Sequence, residues 1–95
     1  MRSVYKYEVP LEHRFKLELP FGAEVIAAGE QGELNAVLWA VVDPTIGKVT
    51  REFGWFGTGH TIDDPAWQHL FTLQSTSGLV LHLGEYKVGG RRGVL

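Results

Sequence analysis

The 95-residue chain has no cysteine, only four prolines and a single methionine, and neither sign of charge predominates. Without cysteine it can form no disulfide and no thiolate metal site. Nine basic against eleven acidic residues leave a formal charge of −2. That balance gives no broad positive field, so nucleic acid is not an expected partner. No apolar run approaches the ~18 residues that a membrane-spanning helix needs. The first residues, Met1-Arg2-Ser3-Val4-Tyr5-Lys6-Tyr7-Glu8, carry charge where a signal peptide needs an apolar stretch. The expected location is therefore the cytoplasm, and no membrane partner is expected.

What the chain does have is apolar residues, aromatic residues and glycine. Hydrophobic residues make up 44%, with three Trp, three Tyr and five Phe to anchor one core, and twelve glycines punctuate them. The length suits one domain that buries roughly 60–65% of the surface its unfolded chain exposes. Self-association would supplement so thin a margin, and a homo-oligomer is expected.

Alternation marks the strands. Tyr5, Tyr7 and Val9 alternate with Lys6 and Glu8 before Pro10, and Phe15, Leu17 and Leu19 alternate with Lys16 and Glu18 before Pro20. The link Leu11-Glu12-His13-Arg14 is short enough for a hairpin or a tight corner. Ala23 to Ala28 reads as a strand closed by a polar turn from Gly29 to Glu33. Leu34 to Val42 is apolar on both faces, which predicts a central strand with Trp39 in the core. Lys48 to Phe56 places Val49, Arg51, Phe53 and Trp55 on one face, with the Arg51 stem against an aromatic ring at the rim.

Asp64 and Pro65 form a helix-start signature, an N-cap followed by proline at the first helical position, predicting one or two turns. Leu70 to Gln74 and Leu79 to Tyr86 pair as a hairpin through Ser75-Thr76-Ser77-Gly78. The expected fold is mostly β: a small antiparallel sandwich or partly open barrel of about seven strands, with one short helix. Residues 1–87 form that single domain, and residues 88–95 are read as a flexible basic tail.

Candidate functional residues gather around Gly57-Thr58-Gly59-His60. Two glycines about a threonine let backbone N–H groups approach a ligand closely. The plainer reading is a sharp turn in which His60 fixes backbone groups. His82 lies on the strand face opposite Leu79, Leu81 and Leu83, so it faces a second layer, an interface or solvent. Trp55, Phe56 and Trp67 cluster around the loop, as the lining of a pocket, as an interface hot spot or as closure of one end of the fold. The ligand-binding set is therefore Trp55, Thr58, Gly59, His60, Trp67 and His82. No nucleophile elbow or diagnostic metal-ligand spacing stands out, so no catalytic residue, metal ligand or cofactor is assigned.

Tyr5-Lys6-Tyr7-Glu8, Leu38-Trp39-Ala40-Val41-Val42-Asp43-Pro44, Gly57-Thr58-Gly59-His60 and Val80-Leu81-His82 follow in this order. Together they resemble a family of small uncharacterised β-rich proteins of tailed phages, prophages and bacteria, over the chain up to about Tyr86. The resemblance implies an accessory phage-type product in a bacterial host and carries no activity with it. The expectation is a non-enzymatic binding module that grips a host or phage protein, or a small ligand, through the 57–60 loop. The alternatives are a small hydrolase joining His60 and His82, with or without a metal, and a structural virion or assembly component.

Overall fold

The computed structural model describes residues 1–32 and 35–87. It contains β1 (Ser3–Pro10), β2 (Phe15–Pro20), β3 (Glu24–Gln31), β4 (Asn35–Val42), β5 (Lys48–Gly57), β6 (Trp67–Gln74) and β7 (Val80–Tyr86). Two antiparallel sheets form, ordered β1-β4-β3 and β2-β5-β7-β6. They face each other as a sandwich that does not close into a barrel. The tail expected over 88–95 lies outside the described residues.

The alternation read from the sequence is the packing pattern. Val9, Phe15, Leu19, Ala36, Leu38, Ala40, Val42, Phe53, Trp55 and Leu83 meet between the sheets as one cluster. Leu19, Phe53 and Leu83 are fully enclosed. β4 is central in its sheet, as its two-sided apolarity requires. Trp39, expected in the core, is not part of it. Ala36, Leu38, Ala40 and Val42 occupy the inner face, so Trp39 projects from the outer one, half-buried, with its ring against Gly29.

The link 11–14 is a corner between the sheets, not a hairpin turn, because β1 and β2 belong to different sheets. It is bound to β5 by the Trp55 N–H donating to the Glu12 carbonyl at 2.9 Å. Arg51 sits at the sandwich rim. Its guanidinium makes a bidentate pair with Glu85 at 2.7 and 2.9 Å, donates to the Ala23 carbonyl at 2.6 Å, and lies 5.6 Å from the Phe53 ring centroid.

The helix expected after Asp64 does not form. Asp64 accepts from its own turn, with its side chain from the Ala66 N–H (2.9 Å) and with its carbonyl from the Trp67 N–H (3.1 Å). That is a β-turn with proline at its second position, which suits Asp-Pro as well as a helix start does. The ladder decides between them. Trp67 already pairs with Tyr86, and the Lys87 N–H donates to the Ala66 carbonyl. One isolated helical turn would forfeit those bonds for an unfavourable nucleus.

β6 is bulged between His69 and Phe71. The extra residue lets consecutive Leu70 and Phe71 both pack on the core. It also shifts the alternation by one position. His69 and Thr72, which strict period two would place on opposite faces, both end on the outer face.

Candidate functional site

The outer face of the four-stranded sheet is built around two small residues. Gly54 of β5 and Gly84 of β7 are cross-strand partners. With no side chain on either, the Trp67 indole lies against Gly84, and its Nε1–H donates to the Gly54 carbonyl at 3.1 Å. On its other side, Gly54 meets the His13 carbonyl of the 11–14 corner.

From Trp67 a row of rings runs in both directions. Phe56 meets it edge-on at 5.4 Å, His13 stacks on Phe56 at 5.0 Å, and His60 meets His13 edge-on at 5.9 Å. The other way, His69 lies 6.0 Å from Trp67, and His82 lies 5.3 Å from His69. All four histidines of the chain stand in this row.

The 57–60 loop is a turn closed by the His60 N–H donating to the Gly57 carbonyl, with Gly59 at φ 89° in the left-handed region. Non-glycine residues rarely adopt that conformation. His60 also accepts the Gly57 N–H on Nδ1 at 3.1 Å, so the imidazole fixes backbone groups of its own turn. Thr58 Oγ1 lies 3.0 Å from His82 Nε2, which ties the loop tip to β7. Thr72 Oγ1 lies 3.1 Å from His69 Nε2 and 3.1 Å from His82 Nδ1, while the two imidazole nitrogens are 3.2 Å apart.

One cation organises the neighbouring wall. Arg14 holds Glu52 through two bonds of 3.0 and 3.2 Å and Asp64 through a third of 3.1 Å. Its guanidinium lies 3.9 Å over the Tyr86 ring, and the Tyr86 hydroxyl donates to the His13 carbonyl at 3.1 Å. Hydrogen bonding from Arg14 keeps the Glu52 carboxyl below its ordinary range, and burial pushes the Tyr86 phenol up. The corner and the 61–64 segment are thereby pinned around a cleft of about 420 Å³. It is lined by His13, Phe56, His60, Thr61, Asp63, Asp64 and Tyr86. A second cleft of about 630 Å³ lies at the Arg51 rim, where Glu85 is already paired with both Arg51 and Lys87.

Of the residues singled out in the sequence, Thr58, Gly59, His60, Trp67 and His82 come together on this face. Trp55 does not: its side chain is 2% exposed and belongs to the inner core, so it closes the fold rather than lining the cleft. His60 and His82, joined in the hydrolase alternative, have separate partners, His13 and Gly57 for one and His69, Thr58 and Thr72 for the other. Among the described residues, no three histidine or carboxylate side chains converge as a metal-ligand group. Phe56, read in the sequence as clustering at the loop with Trp55 and Trp67, joins this row, whereas sequence reasoning passed over His13, His69, Thr72 and Tyr86 as site residues. The one available signal was glycine inside β5 and β7, which marks close approach by another group.

Among the described residues, no helix is long and apolar enough to cross a membrane. Neither a curated protein nor a solved structure matches the chain. A family model described as a domain of unknown function, DUF7352, matches residues 1–92, and the chain belongs to that family.

Proposed function

We propose that this domain is a non-enzymatic binding module that takes its ligand in the cleft beside the 57–60 turn. The observation that carries the reading is the His13–Phe56 stack, 5.0 Å between centroids, forming an aromatic wall beside Asp63 and Asp64. Ring faces beside carboxylates suit a flat or cationic group, such as a guanidinium or amine on a host protein or a small ligand. The Arg14 bonds to Glu52 and Asp64 hold this wall in place before any ligand arrives, which lowers the ordering cost of binding. Self-association and a phage-type accessory role in the bacterial cytoplasm belong to the same reading and rest on the sequence alone.

Native mass spectrometry of gently purified wild-type chain, beside Phe56→Ala and Gly59→Val, tests it. The expected result is a bound mass or an oligomer in the wild type that both substitutions remove. A bare wild-type monomer, or an identical species in all three, overturns it.

A further inference from the structure

We propose that His69, His82 and Thr72 form a binding site for a divalent transition-metal ion of the zinc, nickel and copper class. The site stands apart from the cleft. Its three donor atoms, His69 Nε2, His82 Nδ1 and Thr72 Oγ1, make a near-equilateral triangle with edges of 3.2, 3.1 and 3.1 Å. Imidazole nitrogens sharing a tetrahedral ion at about 2.0–2.1 Å stand about 3.3 Å apart, and in octahedral geometry they stand about 2.9 Å apart. The observed separation falls between the two. An ion about 2.1 Å from each donor would sit roughly 1 Å above their plane, on the solvent side, with its remaining positions open to water.

Three features favour coordination over a plain hydrogen-bonded cluster. When a hydrogen bond joins two neutral imidazole nitrogens, one carries the proton and the other offers its lone pair. Replacing that proton by a cation satisfies both nitrogens at once. Thr58 Oγ1 stands 3.0 Å from His82 Nε2, where it can accept that N–H and leave Nδ1 free to coordinate, the arrangement that orients metal-bound histidines. Finally, the three donors come from two paired strands and not from a loop. Thr72 and His82 are register partners, and the β6 bulge delivers His69 beside them. Imidazole suits zinc, nickel and copper, and a single neutral oxygen adds no preference for calcium or magnesium.

The test is zinc titration of the untagged full chain, followed by calorimetry and native mass spectrometry. One Zn²⁺ per chain is expected. His69→Ala and His82→Ala should each weaken it by about 10-fold or more, and Glu18→Ala, at an exposed carboxylate on β2, should leave it unchanged. Thr58→Val should weaken it while Thr58→Ser restores it, which marks Thr58 as a positioning residue acting through His82. Thr72→Asp, which places a carboxylate at the third corner, should tighten binding by about 10-fold, a gain that misfolding cannot produce. No saturable zinc, zinc retained when both His69 and His82 are Ala, equal loss in Glu18→Ala, or no gain in Thr72→Asp overturns the proposal. Phe56→Ala probes the cleft without touching these three donors or Thr58, so failure of one proposal is separable from failure of the other.

Discussion

Gly54 and Gly84 face each other across the β5–β7 ladder, and Trp67 occupies the room that a side chain at Gly84 would fill while bonding to the Gly54 carbonyl. A methyl group at Gly84 would overlap the indole, and one at Gly54 would overlap the His13 carbonyl. Gly84→Ala should therefore displace Trp67 and break its bond to the Gly54 carbonyl. The expected cost is about 1–3 kcal/mol from overpacking, with a red shift of indole emission. Denaturant unfolding followed by tryptophan fluorescence measures both. Unchanged emission would mean that the indole does not depend on the glycine pair.

The Arg51–Glu85 pair predicts acid sensitivity. Burial pushes the Glu85 carboxyl up, but the hydrogen bonds and charges of Arg51 and Lys87 outweigh it and hold it below the usual 4.5. Because the folded value is depressed, the stabilisation is fully present above about pH 4.5 and is lost as pH falls through the folded value. Glu52, held down by Arg14, contributes in the same direction. Stability measured by urea unfolding should fall below pH 4.5 in the wild type and fall less steeply in Glu85→Gln.

Removing one partner of this pair leaves the other short of a counter-charge at a site where Glu85 is only 5% exposed. Arg51→Met alone should cost on the order of 2 kcal/mol. Combining it with Glu85→Leu should restore much of that loss, since apolar replacement of a buried pair is often near neutral. A double-mutant cycle read by denaturant midpoints gives the coupling, and strict additivity would show the pair to be energetically idle.

Core truncation should discriminate the buried middle of β5 from its exposed start. Phe53→Ala removes a fully enclosed ring and should cost about 3–5 kcal/mol. Val49→Ala, at a side chain 38% exposed, should cost well under half as much. Thermal unfolding of the two variants provides the comparison.

Arg14 joins the 11–14 corner to Glu52 and Asp64. Arg14→Met keeps most of the stem but removes all three bonds. Amide exchange in residues 11–14 and 61–66 should accelerate while β4 and β7 stay protected. Global acceleration would mean that the corner is integral to the cooperative unit.

Much of the fold was legible in the linear pattern because it is a local property. Period-two alternation marked β1, β2 and β5, two-sided apolarity put β4 in the middle of a sheet, and the Ser75–Gly78 turn joined β6 to β7. Turn chemistry was read correctly as a break but not always as the right kind. Asp64-Pro65 serves a helix cap or a β-turn equally well, and only the pairing of Trp67 with Tyr86 selected the turn.

The site was less legible because it depends on which strands become neighbours. Loop 57–60 and His82 stood out by residue type, and the structure brings Thr58 to His82. Pairing β5 with β7 and β7 with β6, and tying the 11–14 corner to β5, carried His13, His60, His69 and His82 from four separate stretches of chain into one row. A single bulge reversed the face of Thr72, Gly84 made room for Trp67, and Gly54 made room for the His13 carbonyl. The sequence by itself determined that this chain is a β-rich domain with one apolar core, because side-chain alternation and turn propensity act over a few residues. Only the tertiary structure decided where its imidazoles meet, because sheet order and register are set by long-range packing between segments that carry no local sign of one another.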